Sequence, residues 1–358
     1  MDSGMDDVEA VVLVGGKGTR LRPLTLSAPK PMLPTAGVPF LAHLLSRVRA
    51  AGVRRAVLGT SYLAETFAEH FGDGSELGLE LVYVTEDEPL GTGGGIRNVA
   101  GHLSAKHVLV FNGDVLAGTD LRAVVDTHRR TAADVTLHLV RVPDPRAFGC
   151  VPTDADGRVL AFLEKTPDPP TDQINAGCYV FRRDVIDTIP AGRPVSVERE
   201  TFPGLLEAGA RVSGHVDSAY WRDMGTPADL VHGSADLVRG IAASAALPGP
   251  TGEALLLDGA VVDPSAVVDG GSTVGRGARV GAGARVHGAM LFDGAVVGAG
   301  AVVEHSVVGA GACVADGAVV VDTVLGDRAQ VTEGCELRGG ARVWPDAVVR
   351  GIRFSPDA

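Results

Sequence analysis

From residue 262 onward, valines and a few leucines return every six residues. Val262, Val268, Val274, Val280, Val286 and Phe292 share one phase, which slips by one residue and resumes at Val297 and Val303. A second slip gives Val308, Val314 and Val320, and a third gives Leu325, Val331, Leu337, Val343 and Val349. Gly, Ala and Asp fill most of the intervals. A sustained six-residue period is the mark of a β-helix, in which each hexad forms one short side of a triangular coil. Three hexads per turn make about five coils from these sixteen positions. Low-complexity Ala/Gly/Val sequence would not hold a phase for so long.

The part before residue 241 reads differently. VEAVVLV, VRRAVLG, LELVYV and HVLVF are short apolar runs of strand length. Between them, FLAHLLSRVRAAG and SYLAETFAEHFG carry apolar residues at helical spacing, the second with Ser61 as a candidate N-cap. This alternation predicts a parallel sheet covered by helices, with ligands gathering beyond the carboxyl ends of the strands. The loop after the first strand and Asn112–Asp114 after the fourth should share that rim. After residue 130 come further strands, VTLHLVRV, RVLAFLEK and NAGCYVF, and helices near 197–208 and 226–239, so the sheet is mixed. The predicted division is a domain over 1–240, a Pro- and Ala-containing linker over 241–253, and the β-helix over 254–358.

Composition narrows the function. A chain of 358 residues has room for two domains, and its net charge of −12 argues against general affinity for nucleic acid or anionic membrane. No apolar run approaches the ~18 residues of a membrane span. The acidic start, MDSGMDDVEA, lacks the pattern of a signal peptide. Cys150, Cys178, Cys313 and Cys335 lie far apart without a CxxC pair, as expected of reduced thiols in a cytoplasmic protein.

Against that acidic background stands VGGKGTRLRPLTLSAPKPMLP, residues 14–34, which holds two of the four lysines of the chain. Its spacing matches neither a Walker A loop nor a dinucleotide fingerprint, because Lys17 lies between the glycines and Leu21 stands where a third glycine belongs. What remains is a loop that can approach a ligand closely at Gly15, Gly16 and Gly18 and can engage phosphate through its N–H groups and Arg20. Pro29 and Pro31 stiffen the chain on both sides of Lys30. A fixed lysine beside an arginine suits a polyphosphate.

GGKGTRLRPLT followed by PKPMLP resembles the start of nucleotidyl-sugar pyrophosphorylases. PLGTGGG (89–95), FNGD (111–114), FLEK (162–165), NAG (175–177) and WRDMGTP (221–227) occur in that family's order. With the hexad tail the resemblance covers nearly the whole chain, and it is greatest to the mannose-1-phosphate guanylyltransferase group. It implies a Rossmann-like nucleotidyltransferase domain with a mixed, mainly parallel sheet, then a left-handed parallel β-helix of hexapeptide repeats. It also implies a reaction: a sugar 1-phosphate attacks the α-phosphorus of a nucleoside triphosphate and pyrophosphate leaves.

By that resemblance Arg20 and Lys30 stabilise the triphosphate and the leaving pyrophosphate, with Gly16, Gly18 and Thr19 in the same loop. Asp114 and Asp223 bind Mg²⁺, a hard cation suited to carboxylate oxygens. Lys165 pins the sugar phosphate; Asn112, Glu164, Asn175 and the Gly149 backbone meet the sugar. Leu13, Gly15 and Gly91 complete a base pocket. Guanine presents two adjacent donors, which a carboxylate accepts, whereas glutamine suits thymine or uracil. Relatives that use dTTP or UTP carry glutamine near the position of Glu86, so GTP is expected, with Glu88 a rival for the role. Other readings remain open: a glucose-1-phosphate thymidylyl-, uridylyl- or adenylyltransferase, a non-catalytic regulator that binds sugar nucleotides, and an acyltransferase using His287 or His305 of the repeat, more simply exposed residues. An open-ended β-helix also makes a homo-oligomer plausible.

Overall fold

The computed structural model describes residues 4–351 and the backbone of residues 353 and 354. Four apolar runs form the predicted parallel strands: β1 (Val8–Leu13), β2 (Arg55–Thr60), β3 (Glu80–Thr85) and β4 (His107–Asn112). Their order is β3-β2-β1-β4, with β1 paired in parallel to both β2 and β4. Beyond β4 the sheet becomes mixed. β5 (Val135–Arg141) and β4 both pair antiparallel with β6 (Gln173–Arg182), and β7 (Val212–Asp217) runs parallel to β5. The core packs Val11, Val57, Val110, Leu137, Tyr179, Phe181 and Phe202 together, all under 1% exposed. Burial on both faces of β1, β2, β4, β5 and β6 explains why these segments read as continuous apolar runs.

Three helices connect the parallel strands: α1 (Phe40–Ala50), α2 (Glu65–Phe71) and α3 (Gly91–Asn98). Ser61 does not cap α2, which begins after Ala64 with no side-chain cap; Leu63 at φ +49° separates the serine from the helix. RVLAFLEK is also shorter as a strand than expected. Only Leu163–Glu164 joins the sheet, paired with Gly149–Cys150, and the ladder stops where Lys165 turns to φ +52°. Helices at Phe202–Glu207 and Pro227–Val238 occupy the expected regions, and 241–253 holds no helix or strand.

The C-terminal repeat is a left-handed parallel β-helix with three faces. Each face stacks six strands, one more coil than the hexad count gives, because Ala254–Leu256 and Arg353–Phe354 add strands at its two ends. The inner column is Val, Ala and Leu, with Val274, Val303, Val308, Val314, Val320 and Leu325 fully buried. One hexad assignment is corrected. The residue stacked on Val274 is Leu291, not Phe292. The phase therefore slips at 286–291, 303–308 and 320–325, always at the same corner. That shortened corner needs one left-handed residue per coil, supplied by Gly288 (φ +52°), His305 (φ +48°) and Asp322 (φ +49°). Ser272 and Ser306 Oγ accept the Ala289 and Thr323 N–H groups there, at 3.0 Å each. His305 is exposed at this corner, while His287 is half-buried, 2.5 Å from Asp269 Oδ1.

By backbone contacts the chain forms two compact units. One holds the residues up to Gly16 with Leu44–Trp221; the other holds Lys17–His43 with Arg222 onward. The basic loop after Gly16 thus belongs to the same unit as the β-helix.

Candidate active site

In the first unit the carboxyl ends of β1, β2 and β4 lie side by side, with Leu13 in register with Gly59 and Asn112. The Gly113 N–H donates to the Leu13 carbonyl at 2.9 Å, so the glycine loop and the NGD turn share the expected rim. Gly113 must lack a side chain, since a Cβ there would lie 2.7 Å from that carbonyl oxygen. Gly15 and Gly16 are exposed; Gly16 has φ +108°, and its N–H donates to Ser61 Oγ at 3.3 Å. Ser61 is therefore a brace for the glycine loop, a role its helix-cap appearance concealed.

Glu86 follows β3 directly and is half-buried, whereas Glu88 is exposed. Its Oε2 accepts the Leu90 N–H at 3.2 Å. Burial pushes the Glu86 carboxyl up from its ordinary value, and the Leu90 hydrogen bond pulls it partly back. The other oxygen, Oε1, occupies the space above Gly95, where a Cβ would approach it to 2.7 Å and Leu13 Cδ2 to 3.4 Å. Leu13 and Glu86 thus both pack against the glycine run at Gly95. The run GTGGG is the first turn of α3, with Gly91 at φ +69°. Gly93 and Gly94 both donate to the Val195 carbonyl, and a Cβ on Gly91 would lie 2.7 Å from that oxygen.

The residues expected to hold the sugar converge in the same unit. Glu164 sits opposite Gly149, whose absent side chain leaves room for Phe162 and Glu164: a Cβ would lie 2.7 Å from Phe162 and 3.0 Å from Glu164 Oε2. Burial raises the Glu164 pKa, with Lys165 opposing, and Lys165 Nζ stands 3.8 Å from Glu164 Oε1. The Lys165 side chain is 62% exposed, open to an incoming anion. Between Asn175 and Tyr179 the β5–β6 register shifts, aided by Gly177 at φ +74°. This bulge turns the Asn175 amide to donate to the Tyr179 hydroxyl at 2.8 Å, while Asn175 Oδ1 accepts the Gly177 N–H at 3.0 Å. Asn112 Oδ1 is buried with no hydrogen-bond partner in the protein. Tyr179 is fully buried and was not legible as a site residue, since it sits inside a core strand.

In the second unit the rest of the glycine-opened loop is a chain of short turns. Gly18 (φ +54°) opens it, Thr19–Leu21 and Lys30–Met32 each make one 3₁₀ turn, and Thr25 Oγ1 donates to the Gly18 carbonyl at 2.9 Å. Leu21, Leu24, Thr25 and Leu33 are buried, giving the loop its own small core. Thr19 and Arg20 are exposed. Lys30 Nζ lies 4.0 Å from Asp223 Oδ1, with its side chain only 12% exposed. Gly225 brings the third member in: a Cβ there would lie 2.7 Å from Arg20 Nη2 and 2.9 Å from Asp223 Oδ2. Arg20, Lys30 and Asp223 thus form one cluster around the WRDMG turn. Asp114 is half-buried in the turn after β4 in the other unit. Among the described residues, no three His, Cys, Asp or Glu side chains converge as a metal cage.

Residues 9–240 match the nucleotidyl transferase family and residues 251–352 match the GMPPB C-terminal domain; the chain belongs to this family. Over 353 residues it is 64% identical to the mannose-1-phosphate guanylyltransferase of Mycobacterium tuberculosis, a match that covers 98% of each chain. It is 37% identical over 227 residues to the catalytic subunit beta of that enzyme from Drosophila pseudoobscura, covering 63% of this chain and 61% of that one. Among solved structures, HddC of Yersinia pseudotuberculosis superposes with a TM-score of 0.56 at 30% identity, over 63% of this chain and 97% of HddC. HddC has also been solved in complex with GMP-PN. A Bacillus anthracis protein described as a glucose-1-phosphate thymidylyltransferase shares the fold at 22% identity, with a TM-score of 0.59, over 64% of this chain and 94% of that one.

Proposed function

We propose that the protein joins GTP to mannose 1-phosphate, forming GDP-mannose and releasing pyrophosphate. The observation that supports this chemistry most is the cluster of Arg20, Lys30 and Asp223 around Gly225, two cations and a carboxylate where a triphosphate would need both. The full-length likeness to a mannose-1-phosphate guanylyltransferase supports the choice of substrates. A phosphate oxygen of mannose 1-phosphate attacks the α-phosphorus of GTP. The bond from that phosphorus to the bridging oxygen breaks, and the electron pair leaves with pyrophosphate. Such a transfer is driven by positioning and charge neutralisation. Arg20 and Lys30 neutralise the β- and γ-phosphates, and the N–H groups of Gly18 and Thr19 add donors, with the Gly16 N–H held by Ser61 Oγ.

Glu86 accepts the two donors of the guanine edge, with Leu13, Gly15 and Gly91 around the ring. Lys165 holds the sugar phosphate; Glu164 accepts from sugar hydroxyls, as does Asn112, whose Oδ1 has no protein donor. Asn175 shares this role beside Gly149. By the family resemblance, Asp114 and Asp223 would each supply a carboxylate to Mg²⁺, a hard cation suited to such oxygens. When bound, the ion polarises the α-phosphate and offsets the negative charge that builds up there.

We further place the protein in a reducing cytoplasm, in keeping with four free cysteines, and as a homo-oligomer joined through the β-helix. Among the described residues no helix is long and apolar enough to cross a membrane. The reading is tested by pyrophosphate release with GTP, dTTP, UTP and ATP, each paired with mannose, glucose and galactose 1-phosphate. The expected best pair is GTP with mannose 1-phosphate; a higher kcat/KM for any other pair would overturn the specificity.

A further inference from the structure

The β-helix makes direct hydrogen bonds to the loop that carries Arg20 and Lys30. Ser27 Oγ donates to Asp327 Oδ2 at 2.8 Å across 300 residues of sequence. Arg342 Nη1 donates to the Arg22 carbonyl at 2.7 Å. These two bonds hold the stretch between Arg20 and Lys30 from two coils of the β-helix. A third contact lies further on, where Gly37 packs so closely on Leu257 that a Cβ would sit 2.8 Å from its Cδ2.

Asp327 has an ordinary task as well. Its Oδ1 accepts the Ala310 N–H of the preceding coil at 3.0 Å, as Asp293 and Asp316 do for Arg276 and Ala299. Only its second oxygen reaches the loop. Arg342 continues the column Met290, Val307 and Val324. Those three point away from the β-helix interior and are nevertheless at most 4% exposed, so that face is covered.

We propose that the β-helix is a positioning device for triphosphate binding, with Asp327 and Arg342 as positioning residues that fix Arg20 and Lys30 through Ser27 and the Arg22 carbonyl. This rests on the phosphate-binding role given to Arg20 and Lys30 above. The sugar-binding residues Glu164, Lys165 and Asn175 belong to the other unit, so the effect should fall on one substrate only.

The test uses the full-length protein and the variants Ser27→Ala, Arg342→Met and their combination, none of which removes the Asp327 cap on Ala310. Losing both bonds should lower kcat/KM for GTP by about tenfold or more, with KM for pyrophosphate rising in the reverse direction and KM for mannose 1-phosphate unchanged. Hydrogen exchange at Leu21, Arg22, Leu26, Met32 and Leu33, whose amides close the turns of the loop, should quicken while exchange in the β-helix stays protected. Ser27→Thr and Arg342→Lys should restore most of the loss. Wild-type exchange in the loop overturns the proposal, as does faster exchange with unchanged GTP kinetics, or an equal loss for both substrates. Failure of the functional reading looks different: the wild-type protein itself would then release no pyrophosphate from GTP and mannose 1-phosphate.

Discussion

Glu86→Gln isolates the residue that should read the base. In the wild-type protein one carboxylate oxygen is engaged by the Leu90 N–H at 3.2 Å, and the other lies above Gly95. Glutamine is nearly isosteric, so the fold should be kept. Its carbonyl oxygen is the only atom that can still accept from Leu90, which turns the amide NH₂ toward the base. Two guanine donors would then face a donor. Losing one hydrogen bond to a charged acceptor costs about 1.5–3 kcal/mol, or roughly 10- to 150-fold in kcat/KM. Thymine and uracil, with a donor between two acceptors, should lose nothing and gain modestly. The assay is pyrophosphate release with GTP, dTTP and UTP at fixed mannose 1-phosphate. The GTP/dTTP ratio of kcat/KM should fall by at least about tenfold. An unchanged ratio would show that Glu86 does not read the base.

Gly95→Ala should produce the same loss of GTP preference, because its Cβ would displace the Glu86 carboxylate that now lies 2.7 Å from that position. Gly225→Ala should push Arg20 and Asp223 out of place and lower kcat more than it changes KM for mannose 1-phosphate, read from steady-state kinetics with the melting temperature as control. Ser61→Ala removes the acceptor for the Gly16 N–H and should raise KM for GTP about three- to tenfold, with little effect on the sugar. Burial, helped by nearby cations, lowers the His128 pKa to about 4. Unfolded chains therefore take up this proton first as pH falls below about 6.5. Stability should be full above that value and decline by up to about 3 kcal/mol as pH drops to near 4, and His128→Gln should flatten the slope in urea titrations.

Much of this molecule is legible in its sequence, and the exceptions have physical causes. The central strands of the first unit announce themselves because they are buried on both faces. The β-helix does so because its interior takes an aliphatic Val or Leu at nearly every sixth position, with small residues between. The shortened corner was misplaced by one residue because Leu291 and Phe292 are both apolar, and only the stacking of Leu291 on Val274 separates them. Ser61 reads as a helix cap, and only the left-handed Leu63 between it and α2 shows otherwise. Tyr179 is hidden by the hydrophobicity of its own strand. The tie between Ser27 and Asp327 leaves no local trace, since neither residue has a pattern that points to the other.

The roles proposed for Arg20, Lys30, Glu86 and Lys165 all rest on the formation of a phosphoanhydride bond. The most direct measurement mixes the full-length protein with GTP, mannose 1-phosphate and Mg²⁺, then separates the nucleotides by chromatography. GDP-mannose and pyrophosphate should appear in equal amounts and convert back to GTP when pyrophosphate is added in excess. Tight binding of GDP-mannose with no turnover in either direction would contradict the account and make the protein a sensor of sugar nucleotides.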